Sequence, residues 1–199
     1  MTNILIFDLD GTLYDSNNSI SKVIDSKIKN YIMKEKNFSE IEYSNLEKGV
    51  PDLLKALEIL KINKNDFYHY VYKDLDYSKY IKKNMHLKTL LSSLEGKKII
   101  CTNSCKYHAK SVLTNMGITE LFDEIYCTDA YENKTKIYEL ILKKYGLLST
   151  EIYVIGDNYE VDIQPAAKIG FKTIYVNKNS KIKNIEDAIK VIEKMKENK

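Results

Sequence analysis

Five short apolar runs punctuate this 199-residue chain: "ILIF" (Ile4–Phe7), "KKIIC" (Lys97–Cys101), "EIYC" (Glu124–Cys127), "IYVI" (Ile152–Ile155) and "KTIYV" (Lys172–Val176). They are rich in β-branched and aromatic residues, and most run into polar residues at their C-terminal ends. A strand that is apolar at successive positions has no face to offer water, so both its faces must be covered. The intervening segments carry helical periodicity. "HAKSVLTNMG" closes at Gly117 and "TKIYELILKKYG" at Gly146, each glycine placed as a C-cap. The expected fold is therefore α/β, a doubly wound, Rossmann-like parallel sheet, which binds ligands at the C-terminal ends of its strands.

One connection departs from this rhythm. Between Asp15 and His86 the chain holds no comparable buried strand. "ISKVIDSKIKNYIMKEK" and "VPDLLKALEILK" space apolar residues three and four apart, which predicts helices broken at Gly49-Val50-Pro51. Residues 15–86 are expected to form an inserted all-helical cap domain, with residues 1–14 and 87–199 as the core. An insertion directly after the first strand is placed to act as a lid. The tail, "IKNIEDAIKVIEKMKENK", reads as a final amphipathic helix.

Composition narrows the function classes. No apolar run approaches the roughly 20 residues of a membrane span. The N-terminal stretch has no basic region and four apolar residues before Asp8, so a cytoplasmic location and no membrane partner are expected. All 31 basic residues are lysine. Without arginine, bidentate guanidinium recognition of phosphate or guanine is impossible from within the chain, so no nucleic-acid partner is expected. Cys101, Cys105 and Cys127 form no CxxC pair and read as reduced thiols. His69, His86 and His108 are scattered and suggest no metal cluster.

The chemistry lies just beyond the strand ends. Asp8, Asp10 and Thr12 come after the first strand, Thr102 and Asn103 after the second, and Lys134 after the third; Asp157 and Asp162 come after the fourth. In a doubly wound sheet strands one, two and four are neighbours, so these groups should converge in one crevice. Four carboxylates share a small dry volume only if a cation holds them or some are protonated. An all-oxygen donor set selects a hard ion, of which Mg²⁺ is the common cellular choice. Such an ion beside an ammonium and a hydroxyl suits a phosphoryl group. Side chains at i and i+2 of an extended chain point the same way, so Asp8 and Asp10 can flank one phosphorus. One could attack it while the other moves protons. Gly11 lets the chain turn away, with Thr12 hydrogen-bonding near the turn. Taken singly, Thr102-Asn103 is also ordinary turn chemistry and Asp157 also a possible helix N-cap. Asp15 reads as structural, Asn17 and Asn158 as possible neighbours of the site, and Tyr14 as lying at the crevice mouth.

"DLDGT", "CTNS", Lys134 and "GDNYEVD" resemble, in order, the four motifs of the haloacid dehalogenase-like phosphohydrolases, over essentially the whole chain. The resemblance implies that Asp8 is the nucleophile and Asp10 the general acid/base, the latter marking the phosphatase branch. It implies that Thr102 and the Asn103 backbone bind phosphoryl oxygens and that Lys134 neutralises charge. Magnesium would be held by Asp8, the Asp10 carbonyl and Asp157, with Asp162 ligating directly or through water. Lys134 is preferred to Lys136 within "ENKTKIYELI". "DGTLYDS" and "TNSCKYHAKSVLTNMGITELFDEIYCTD" resemble the pyrimidine 5′-nucleotidase branch, which implies a nucleoside 5′-monophosphate substrate. The alternatives are a phosphoglycolate or sugar-phosphate phosphatase or phosphomutase, and a non-catalytic phosphate-ligand-binding protein. The expected partner is a small phosphomonoester, and the expected state a monomer or weak homodimer.

Overall fold

The computed structural model describes residues 3–15, 19–50 and 52–197, with side chains to 195. The chain divides into two compact units, Met1–Ser16 with Lys82–Lys199, and Asn17–Ile81.

The first unit is built on five parallel strands, β1 (Ile4–Phe7), β2 (Lys97–Thr102), β3 (Glu124–Cys127), β4 (Ile152–Gly156) and β5 (Lys172–Tyr175), in the order β3-β2-β1-β4-β5. All five apolar runs are thus strands, and the doubly wound sheet expected from them is observed. β1 is central: Phe7 pairs with Ile100 of β2 and with Ile155 of β4. From β1 the chain winds one way through β2 and β3, and from β4 the other way to β5. The reversal lies between β1 and β4, where doubly wound sheets bind ligands.

Each face of the sheet is covered, which is why all four residues of β1 are fully buried. Ile4, Ile6, Ile99, Ile152 and Val154 pack with Ile137, Tyr138 and Ile141 of α8 (Lys134–Tyr145) and Ala166 of α9 (Gln164–Lys168). Tyr138 meets Phe171 edge-on at 5.9 Å. Phe7, which points to the opposite face from Ile6, meets Phe122 edge-on at 5.9 Å. α6 (Met85–Ser93), α7 (Lys106–Met116) and α10 (Ile185–Glu197) complete this unit. Gly117 and Gly146, both left-handed, end α7 and α8 as their spacing predicts.

The second unit contains α1 (Ser19–Lys36), α2 (Glu40–Gly49), α3 (Leu53–Ile59), α4 (Lys64–Tyr72) and α5 (Tyr77–Tyr80), with no strand among its described residues. Ser39 and Glu42 form a reciprocal capping box at the start of α2, and Asp52 and Asn63 cap α3 and α4. α1 packs on α4 through Tyr31 and Phe67, whose rings meet edge-on at 5.4 Å. α2 ends at Gly49, within the expected break, whose Pro51 lies outside the described residues.

The division falls at Ile81/Lys82, a few residues before the boundary of 86/87 read from the sequence. Asn84 ties the intervening residues to the sheet unit: its N–H donates to Met116 O at 3.1 Å, and its side chain caps α6 by accepting from Leu87 N–H at 2.9 Å. Among the described residues, no helix is long and apolar enough to cross a membrane.

Candidate active site

The ladder between β1 and β4 runs one residue past β1, where Asp8 N–H donates to Ile155 O at 2.9 Å. This sets Asp8 beside the end of β4, from which Gly156 leads to Asp157. Carboxylate oxygens of Asp8, Asp157 and Asp162 lie within 4.8 Å of one another. A π-type turn at Tyr159–Ile163 brings Asp162 back toward the sheet; its first N–H groups are capped by Asn158 Oδ1 at 3.1 Å. Asn158 therefore has the capping role considered for Asp157, and its own N–H donates to Asp162 Oδ2 at 3.0 Å.

Lys134, the first residue of α8, projects into this group. Its Nζ lies 2.6 Å from Asp8 Oδ1 and 2.5 Å from Asp162 Oδ1, and only 3% of the residue is exposed. Asn133 caps the helix through Lys136 N–H at 3.1 Å and so sets where Lys134 emerges. The Lys136 side chain lies at the surface instead, paired with Glu139. The Thr12 hydroxyl sits between carboxylates, 3.1 Å from Asp8 Oδ2 and 3.4 Å from Asp157 Oδ1.

Two glycines make the crowding possible. Gly11 has φ +90°, and a Cβ there would stand 2.2 Å from Asp157 Oδ2. A Cβ on Gly156 would stand 2.4 Å from Asp162 Oδ2. Side chains at these positions would occupy the space the carboxylates need.

The electrostatics follow from this packing. Burial drives the Asp8 carboxyl upward against the pull of Lys134, and Asp162, Asp157 and Asp10 reinforce the rise. Asp157 is pushed up to about 6, by burial first and Asp162 second. Burial pulls Lys134 down, but Asp162 and Asp8 outweigh it and hold the ammonium firmly protonated. Three carboxylates face one ammonium, which leaves two negative charges for a cation to meet. A hard, oxygen-seeking dication such as Mg²⁺ fits both the donor set and that charge. A cation there would oppose the burial and like charge that raise the Asp8 carboxyl, and so favour its ionised, nucleophilic form.

Asp10 faces a different set of partners from Asp8. On one oxygen, Oδ1, it meets His108 Nε2 at 2.7 Å and receives the Tyr14 hydroxyl. On the other, Oδ2, it accepts from Ser104 Oγ at 2.6 Å, with Thr102 Oγ1 at 3.5 Å. Burial would raise its carboxyl, but the charge and hydrogen bond of His108, with Ser104 and Tyr14, bring it well below the usual carboxylate range. Thr102, the last residue of β2, also accepts from Ser104 N–H at 3.0 Å, which is turn chemistry at the strand end. The Asn103 carbonyl accepts from Thr128 Oγ1 at 2.9 Å. Asp15 forms an exposed pair with Lys178, while Asn17 lies outside the described residues.

The structure thus gathers Asp8, Thr12, Lys134, Asp157 and Asp162 around one point, with Asp10 and Thr102 joined in the adjoining hydrogen-bond set. Asn103 is set in the loop after β2 by the Thr128 contact. His108 and Ser104 belong to this hydrogen-bond set although neither is a metal ligand. Their signal was spacing: both lie within six residues of Thr102, at the loop and first turn beyond β2.

The chain matches the haloacid dehalogenase-like hydrolase profile over residues 5–176. It is 28% identical to a glyceraldehyde 3-phosphate phosphatase of Methanocaldococcus jannaschii, covering 92% of this chain and 88% of that protein. It is 26% identical to a phosphoglycolate phosphatase of Aquifex aeolicus, covering 90% and 89%. Its fold is similar to that of the magnesium-bound HAD hydrolase YfnB of Bacillus subtilis, with a TM-score of 0.64, 15% identity, and 96% and 99% of the two chains covered. With the profile spanning most of the sequence and a parallel sheet carrying this cluster at its switch point, the chain belongs to the haloacid dehalogenase-like hydrolase family.

Proposed function

We propose that this protein is a Mg²⁺-dependent phosphatase that hydrolyses a small phosphomonoester through a phosphorylated Asp8. The observation that carries this reading is the meeting of Asp8, Asp157 and Asp162 with the ammonium of Lys134 at the end of β1 and β4. Asp8, Asp157, Asp162 and the Asp10 carbonyl would hold the ion, which when bound neutralises charge on the phosphoryl oxygens.

Asp8 then attacks phosphorus. The new Oδ–P bond forms as the bond to the leaving oxygen breaks, and Lys134 offsets the charge on Asp8 and the phosphoryl group. Asp10 supplies a proton to the leaving oxygen. At rest its partners hold it ionised; an arriving phosphate dianion raises its proton affinity, and it takes up from solvent the proton it then donates. In the second half-reaction Asp10 takes a proton from water as the water oxygen attacks phosphorus and the Asp8–phosphorus bond breaks. Thr102 and the Asn103 backbone are placed in this reading to bind phosphoryl oxygens.

For the substrate we favour a short phosphorylated acid, aldehyde or sugar, as the names of the two phosphatase relatives suggest. The nucleoside 5′-monophosphate reading stands second, on the resemblance of "TNSCKYHAKSVLTNMG" to the pyrimidine nucleotidase branch. The helical unit, inserted between β1 and α6, is proposed as the cap that supplies selectivity. Phosphate release from phosphoglycolate, triose and hexose phosphates, CMP and UMP, with Mg²⁺ or with EDTA, tests the proposal. Release from the small acids and sugars that EDTA abolishes is expected. Preference for CMP or UMP would move the substrate to the second reading. No release from any compound with Mg²⁺ would refute the phosphatase assignment.

A further inference from the structure

Asp10 is the only one of the two aspartates of "DLDGT" whose carboxyl is engaged by an imidazole among the described residues. The imidazole belongs to His108, in the first turn of α7, and none of that residue is exposed. A fully buried ring nitrogen must find a polar partner, since left unpaired it loses its hydration with nothing in return. A histidine with only a structural task can satisfy itself on a backbone carbonyl. This one reaches across from α7 to the loop after β1, and meets a carboxylate oxygen at 2.7 Å.

The other contacts make the arrangement directional. His108 and Tyr14 converge on Oδ1, and Ser104 and Thr102 on Oδ2. The donors come from four places: the loop after β1, the end of β2, the loop that follows it and α7. With both oxygens bracketed from separate segments, the carboxyl cannot turn about its own axis without losing partners on both sides. Ser104 and His108 are buried, so water cannot readily replace them.

We infer that His108, assisted by Ser104, is a positioning residue for proton transfer: it fixes the Asp10 carboxyl in the orientation from which that group serves the leaving oxygen. The inference rests on the phosphatase reading above. Misalignment of a proton donor costs most where the leaving oxygen is most basic, because such a group departs slowly unless protonated.

The test compares p-nitrophenyl phosphate with phenyl phosphate, similar in shape and different in leaving-group basicity. kcat/KM is the readout because it covers the steps through cleavage of the first phosphorus–oxygen bond. His108→Phe fills the space without a nitrogen, and His108→Gln retains an amide donor. The Phe variant is expected to lose kcat/KM at least about tenfold more on phenyl phosphate than on p-nitrophenyl phosphate, within the roughly 10²–10⁴-fold span of general acid–base catalysis. The Gln variant should recover much of that difference, and in an Asp10→Asn background the Phe substitution should add little. Ser104→Ala should show the same asymmetry at smaller size, and carries the test if the Phe variant does not fold. Equal losses on both substrates, or losses confined to a shared rise in KM, would overturn the positioning role. A wild-type enzyme inactive on both esters and on every compound of the panel above with Mg²⁺ would instead overturn the phosphatase reading on which it rests.

Discussion

Lys134 Nζ lies 2.6 Å from Asp8 Oδ1 and 2.5 Å from Asp162 Oδ1, joining the start of α8 to the end of β1 and to the turn after β4. Replacing Lys134 with Met leaves two buried carboxylates facing each other. Removing one partner of a buried ion pair costs about 3–5 kcal/mol. Urea denaturation of Lys134→Met should show a loss of that order, and saturating Mg²⁺ should restore part of it by binding only the folded state. The same variant should lose phosphatase activity by on the order of 10²-fold or more, as expected when a charge-stabilising group is removed.

Asp8→Asn is expected to separate chemistry from folding. The amide cannot attack phosphorus, so turnover should fall by on the order of 10⁴-fold or more, as for removal of a covalent nucleophile. The Lys134–Asp162 pair remains, and one buried negative charge is gone, so the fold should persist. Circular dichroism beside phosphate release checks both halves. Substantial Mg²⁺-dependent turnover by this variant would contradict the assignment of Asp8.

Gly156→Ala should damage the site from behind. The added Cβ would meet Asp162 Oδ2 at 2.4 Å and Asp162 Cβ at 2.5 Å, and an atom so near the backbone cannot swing aside. Overpacking of this kind costs about 1–3 kcal/mol. Asp162 should be displaced, and Mg²⁺ affinity measured by calorimetry should weaken with it. Gly49→Ala is the control: nothing lies within 4 Å of a Cβ there, so stability should change by no more than about 1 kcal/mol.

A pH-dependent contribution is expected at the edge of the sheet, away from the site. Glu124 opens β3 and meets the Lys144 ammonium at 2.7 Å and the hydroxyls of Tyr126 and Tyr145. Burial would raise its carboxyl, but these contacts prevail and lower it from 4.5 to about 2. A depressed folded-state value contributes stability above the unfolded value and loses it as pH falls through the folded one. The stability difference between wild type and Glu124→Gln should therefore be full above about pH 5 and shrink between 4.5 and about 2. A difference that stays constant across that window, measured by denaturant titration, would contradict the assignment of the shift to these contacts.

The strands and most of the carboxylate cluster were legible in the sequence because they depend on local rules. A run such as "ILIF" has no polar face, so it needs cover on both sides wherever it lies, and parallel β-α order puts its C-terminal end at a shared rim. Asp8, Asp157 and Asp162 could be placed at that rim from strand ends alone. Spacing also suggested that Asp8 and Asp10 could flank one phosphorus, without saying what else would hold either. The folded chain gives them separate partners: Lys134 and Thr12 bind Asp8, whereas His108, Tyr14 and Ser104 bind Asp10.

By itself, then, the sequence determined the layering, the winding and the rim at which acidic groups collect, since each follows from periodicity and chain order. Tertiary structure alone decided which nitrogen meets which oxygen. The choice between Lys134 and Lys136 turned on the rotation of α8 about its axis, set by the Asn133 cap and by the burial of Ile137, Tyr138 and Ile141 against the sheet. His108 reached Asp10 by the same kind of event, the seating of α7 against β3, with Ala109 and Val112 buried along the same helix. Helix rotation is selected by packing across the whole unit, and a two-residue difference in position moves a side chain more than halfway around a helix.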